Sequence, residues 1–186
     1  RGLETLHEMG FIHSDVKPAN IMIDRLGYVK LIDYGRAMLA NEKITILLGT
    51  PVYMAPEAHA ERIARTHSDI YSLGLVGLEM LRGERLFPSD KPLSEAELLQ
   101  AKRDLPHHLY DMLPDHVRKN AQFLILLQRF LEPNPAGRFA TAEEAEVGSN
   151  GLAMLHKQLT LAGKDTEYGR ELENYLSKIV NPLGPA

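Results

Sequence analysis

The sequence predicts a mainly α domain with one small β element, on three observations. From Ser68 to Leu81, residues Ile70, Leu73, Leu75, Val76, Leu78, Met80 and Leu81 point in nearly every direction around a helix, the pattern of a buried helix. Two capping boxes, Ser94-x-x-Glu97 and Thr141-x-x-Glu144, mark further helix starts. Only Ile21-Met22-Ile23 and Tyr28 to Ile32 read as strands. They flank Asp24-Arg25-Leu26-Gly27, which has turn residues at both ends, so the three together predict a β-hairpin.

The remaining elements follow in order. Gly2 to Met9 carries Leu3 and Leu6 at helical spacing, and Gly10 ends it as a C-terminal cap. From Asp33 to Glu57 no period holds, which predicts a long irregular segment of the kind that is usually functional or disordered. The Ser94 box opens a surface helix over Leu93 to Lys102. Arg118 to Glu132 is an amphipathic helix ended by Pro133, and the Thr141 box opens a short one. Residues 148–186 read as two helices, around Leu152–Leu161 and Glu167–Val180, with a Pro/Gly tail. The expected arrangement is a helical bundle around the buried central helix.

The 186 residues are enough for one domain with a substantial core. Hydrophobic residues make up 44% and charged residues 25%, as in soluble globular proteins. The formal net charge is -4 and no run of Lys or Arg forms a block, so neither a nucleic-acid nor a membrane-surface partner is expected. Absence of cysteine excludes disulfides, thiolate metal sites and a cysteine nucleophile, and fits a reducing cytoplasm. Apolar runs such as Phe123 to Leu127 are too short to span a bilayer, and no secretory signal opens the chain. It starts at Arg1 inside what reads as a helix, which is the look of a truncation.

The chemistry gathers in His13-Ser14-Asp15-Val16-Lys17-Pro18-Ala19-Asn20. Pro18 disfavours helical geometry at Lys17, so this is an extended loop that displays Asp15, Lys17 and Asn20 from one short turn. Asn20 enters the first hairpin strand and Asp33 leaves the second, and antiparallel pairing brings those ends together. Hard oxygen ligands with a cation nearby suit Mg²⁺ carrying a phosphorylated substrate. A further carboxylate beside them can accept a proton from a hydroxyl nucleophile. The arrangement points to phosphoryl transfer.

His13 to Asn20 also resembles the catalytic loop of protein kinases, His-Arg-Asp-Leu-Lys-Pro-x-Asn, with Ser14 in the arginine position. Asp33-Tyr34-Gly35 resembles Asp-Phe-Gly, and Ala55-Pro56-Glu57 matches Ala-Pro-Glu. Gly49-Thr50-Pro51-x-Tyr53-Met54 is similar to the docking segment of serine/threonine kinases, and Asp69 to Gly74 to the start of their central helix. The matched motifs run from about Leu3 to Glu144. The resemblance implies the kinase C-terminal lobe at residues 1–147, an α+β family fold with its N-terminal lobe absent from this chain. Residues 148–186 would be a helical extension.

By that resemblance Asp15 is the catalytic base, and Lys17 neutralises charge on the transferred phosphoryl group. Asn20 and Asp33 hold Mg²⁺, and Met22 packs beneath the adenine of ATP. Thr50 docks substrate by bonding toward Asp15 and Lys17. His13 and Tyr34 stack inside the lobe beside Gly35, Asp69 holds the catalytic-loop backbone, and Arg138 pairs with Glu57. The lesser alternative for Asp69 is a plain helix N-cap. The partners implied are Ser/Thr-bearing protein substrates and the missing lobe in cis. Two departures stand out. The Gly-rich loop, the ATP-anchoring lysine and its glutamate partner are not found. Ser14 also removes an arginine that normally grips an activation-loop phosphate. A pseudokinase scaffold and a small-molecule kinase are the alternatives. His107, His108 and His116 lack metal-ligand spacing, and Gly163-Lys164 lacks the rest of a P-loop.

Overall fold

The computed structural model describes residues 1–24, 27–45, 51–88, 90 and 92–161. Helix α1 (Gly2–Glu8) ends at Gly10, whose φ of +81° is one that favours glycine. Strand β1 (Phe11–Ile12) follows, then the loop carrying Asp15 and a 3₁₀ turn over Pro18–Asn20. Strands β2 (Ile21–Ile23) and β3 (Val29–Leu31) form the expected hairpin, pairing Ile21 with Leu31 and Ile23 with Val29.

The stretch after Asp33 is less irregular than its sequence implies. A 3₁₀ turn spans Tyr34–Arg36, and β4 (Met38–Leu39) pairs antiparallel with β1. Lys43 bridges Ile63, and Asn41 and Ile44 donate backbone N–H groups to Ala64 and Arg62. These pieces are three residues long or less, too short to show a sequence period.

Helix α2 (Pro56–Glu61) leads to the central α3 (Thr66–Arg82). Ile70, Tyr71, Leu75 and Leu78 of α3 are buried, and so are Ser68, Asp69, Ser72 and Glu79, while Met80 stands in solvent. The helix is therefore buried along most of its length but not all round. Gly74 is where it meets α6 (Ala121–Phe130), since a Cβ there would lie 2.8 Å from Phe130 Cβ.

Helix α4 (Glu95–Met112) opens with the Ser94–Glu97 capping box but runs ten residues past the expected end. Leu98, Lys102, Leu105 and Leu109 form its buried stripe, so it is a core helix rather than a surface one. It continues through Pro106. A proline has no N–H to give the carbonyl four residues back, here that of Lys102, and the Tyr71 hydroxyl donates to that oxygen instead at 3.1 Å. The helix expected over Arg118 to Glu132 is α6, which starts three residues later because the Asn120 side chain caps Phe123 N–H; a separate short helix, α5 (Asp115–Arg118), precedes it.

Helix α7 (Ala142–Val147) is capped by Thr141, and α8 (Leu152–Leu161) has the expected bounds. Leu155 of α8 joins the main core with Tyr71, Leu109, Phe130 and Phe139. The expected helix over Glu167–Val180 lies outside the described residues. No helix among the described residues is long and apolar enough to cross a membrane.

Candidate active site

The loop between β1 and β2 is held from below by Asp69. Its carboxylate accepts the backbone N–H of His13 at 2.8 Å and of Ser14 at 2.9 Å, and bonds His7 Nε2 at 2.9 Å. Asp69 is the fourth residue of α3, so it does not cap the helix. The same clamp puts Ser14 at a φ of +64°, a strained conformation for a residue with a side chain. The Ser14 Oγ is buried and has no hydrogen-bond partner among the described residues.

His13 is fully buried. Its Nδ1 accepts the Asp15 N–H at 3.3 Å, which puts the ring proton on Nε2, and Nε2 donates to Ile32 O at 3.1 Å. One imidazole thereby ties the loop to the end of the hairpin. Ile32 N–H also donates to Asn20 O at 2.9 Å, so the hairpin mouth is closed beside Asp33.

Three side chains converge on the Asp15 carboxylate. Lys17 Nζ donates to Oδ2 at 2.7 Å, Asn20 Nδ2 donates to Oδ2 at 3.0 Å, and Arg36 Nη1 donates to Oδ1 at 3.3 Å. Asn20 Nδ2 also donates to Asp15 O at 2.9 Å. With its amide nitrogen facing Asp15, Asn20 keeps Oδ1 as a free acceptor among the described residues.

Asp33 is exposed, at a φ of +61°, and its Oδ1 accepts Gly35 N–H at 3.3 Å. A Cβ on Gly35 would come within 3.2 Å of that oxygen. Asn20 Oδ1, on a buried side chain, and the exposed Asp33 carboxylate are two hard oxygen donors at the two ends of the hairpin, a donor set that fits Mg²⁺ on a nucleotide.

The other expected residues fall as follows. Tyr34 meets the buried His13 with ring centroids 5.3 Å apart, tilted by 60°, and is itself 51% exposed, so the pair reaches from the interior to the surface. Met22 presents an exposed apolar side chain on β2. Glu57 and Arg138 form a buried two-bond pair at 2.8 and 2.7 Å. Thr50 lies outside the described residues.

A cleft of about 740 Å³ runs from Asp15, Lys17 and Arg36 past Val52 and Met54 to Leu93. Its wall is built by Tyr53, whose hydroxyl donates to Glu79 Oε2 at 2.6 Å and whose carbonyl accepts from Ser72 Oγ at 2.7 Å.

Sequence reasoning missed two cations. Arg36 directly follows Asp33-Tyr34-Gly35, and its position beside Asp15 depends on the 3₁₀ turn. Lys102 had a readable signal, because it falls on the apolar stripe of α4 between Leu98 and Leu105. Burial lowers the Lys102 ammonium to about 7, opposed by the nearby Glu57 carboxylate.

The buried central helix and the loop-and-hairpin site together define the protein-kinase class of fold. The chain belongs to that family, since the profile described as the protein kinase domain matches residues 1–147. Among curated proteins it is 34% identical over 149 residues to the serine/threonine-protein kinase PknA of Mycobacterium tuberculosis, covering 78% of this chain and 34% of that protein. A serine/threonine-protein kinase of Corynebacterium efficiens is 35% identical over 147 residues, 77% of this chain and 27% of that protein. A probable serine/threonine-protein kinase of Clostridium perfringens is 28% identical over 187 residues, 98% of this chain and 26% of the relative. The chain spans about a third or less of the length of these relatives.

Proposed function

We propose that these residues form the catalytic lobe of a serine/threonine protein kinase, transferring the γ-phosphoryl group of ATP to Ser or Thr hydroxyls of protein substrates. The observation that supports this most is the convergence of Lys17, Asn20 and Arg36 on the Asp15 carboxylate at the mouth of the hairpin. In this reading Asp15 accepts a hydrogen bond from the incoming hydroxyl and aims its oxygen at phosphorus. Lys17, held beside that carboxylate, sits where charge grows on the transferred group. Asn20 and Asp33 hold Mg²⁺, and the bound ion neutralises phosphate charge.

Met22 meets the adenine, and Thr50 bonds the acceptor side of the loop. His13, Tyr34, Gly35, Asp69, Glu57 and Arg138 keep the loop and docking segment in register. The Gly-rich loop and ATP-anchoring lysine come, in this reading, from a second lobe of the same polypeptide, so the 186 residues alone transfer no phosphate. Residues 148–186 then extend the lobe formed by 1–147. The serine/threonine preference follows the names of the bacterial relatives and Lys17 in the loop.

The experiment is phosphotransfer to a Ser/Thr protein substrate by the complete polypeptide and by its Asp15→Asn and Asp33→Asn variants. Each variant is expected to lose at least about a hundredfold in kcat/KM. Asp15→Asn keeps Mg-nucleotide affinity and Asp33→Asn weakens it. Turnover close to wild type in either variant defeats the role assignment.

A further inference from the structure

Lys102 of α4 is fully buried, a condition lysine almost never tolerates unless its charge is partnered. Its partners are two backbone carbonyls, those of Pro51 and Met54, the latter at 2.7 Å. They are the two ends of one tight turn, closed by Met54 N–H donating to Pro51 O at 3.2 Å. Pro51, Val52, Tyr53 and Met54 line the cleft that starts at Asp15.

From the other side α3 grips the middle of the turn, through Ser72 to Tyr53 O and Glu79 to the Tyr53 hydroxyl. The backbone of Lys102 is pinned as well, because Pro106 orphans its carbonyl and Tyr71 claims it. The residue therefore links α3 and α4 to the turn with both of its ends. An apolar side chain of similar length would fill the same space at no charge-burial penalty, but would leave Met54 O without this donor. Packing alone does not account for a lysine here.

We propose that Lys102 is a positioning residue for the protein substrate: it fixes the Pro51–Met54 turn that walls the cleft, and so sets substrate affinity rather than the phosphoryl-transfer step. This rests on the kinase reading above. The residue acts through the turn and does not touch the reacting groups.

The test compares the complete polypeptide with its Lys102→Met and Lys102→Arg variants, using a Ser/Thr peptide and, separately, ATP hydrolysis to water. Lys102→Met is expected to raise peptide KM by about tenfold or more while kcat and ATP hydrolysis stay within about twofold. Lys102→Arg, which keeps N–H donors for the two carbonyls, is expected to restore most of the affinity. Without substrate, amides of Tyr53 to Ala58 should exchange hydrogen about tenfold faster in Lys102→Met, with those of α6 unchanged.

An unchanged KM, or a fall in kcat and ATP hydrolysis that tracks KM, overturns the proposal, as does uniformly faster exchange. Should Lys102→Met fail to fold, Lys102→Gln, with an amide donor in place of the ammonium, is read in the same assays. A wild-type protein that transfers no phosphate overturns the kinase reading, and exchange at Tyr53 to Ala58 then still decides whether Lys102 holds the turn.

Discussion

Replacing Glu57 by alanine strands a buried charge. Arg138 is 3% exposed, and all five of its N–H donors are used. Two go to the Glu57 carboxylate, and the others to the carbonyls of Glu132 at 2.6 Å, His67 at 2.9 Å and Pro133 at 2.9 Å. Its guanidinium also lies 4.7 Å from the centre of the Tyr71 ring. The substitution removes two charge-assisted bonds and the acceptor of Ser68 Oγ. The three carbonyls keep the guanidinium in place but supply no counter-charge.

Breaking such a pair from one side costs about 3–5 kcal/mol. In a chain of this size that is a fall in Tm of roughly 6–20 °C. The assay is urea and thermal unfolding of wild type, Glu57→Ala, Arg138→Met and the double variant. Because the double variant leaves neither charge buried alone, its cost should fall below the sum of the single costs by about 2 kcal/mol or more. A Tm change under about 2 °C, or simple additivity, would refute the view that this ion pair ties the start of α2 to the loop before α7.

The Asp69 clamp makes a separate prediction. Asp69→Asn turns one accepting oxygen into a donor facing a backbone N–H, so it should cost about 1–3 kcal/mol and lower kcat; unchanged unfolding would show that the clamp is dispensable. Lys102 gives a pH dependence of stability. Burial lowers it from the ordinary lysine value of 10.5 to about 7, so between those values the unfolded chain binds the extra proton and stability rises with pH. From pH 7.5 to 9.5 the gain should be on the order of 1–3 kcal/mol in wild type and absent in Lys102→Met. Glu57, which faces the ammonium from α2, opposes the shift. His59, also on α2, is itself held below the ordinary histidine value by burial and by Lys102, so it titrates beneath that window. Parallel urea midpoints across the window would contradict the assignment.

Much of the site was legible because its information is local. Pro18 rules out helix at Lys17, the Asp24–Gly27 turn folds two apolar runs back on each other, and those rules alone bring Asn20 and Asp33 to one end of a hairpin. Capping chemistry placed the starts of α4 and α7, helical spacing of Leu3 and Leu6 found α1, and an apolar stretch without a polar face found α3. Elements two residues long carry no period, so the β1–β4 pairing emerged only from the fold. Asn120 is compatible with either a helix interior or a cap, and only the folded chain shows it as the cap that accepts Phe123 N–H.

Side-chain partners across the chain were decided by tertiary structure alone. The apolar stripe of α4 says that Lys102 faces the core, but not that two carbonyls of a turn some fifty residues earlier wait there. Nor does sequence reveal that Pro106 is tolerated in mid-helix because the Tyr71 hydroxyl serves the carbonyl it orphans. The same holds for Arg36 on Asp15 and for His7 on Asp69. Local sequence sets backbone preference and which face is apolar. Satisfying a buried polar group requires a partner whose position depends on every element packed around it.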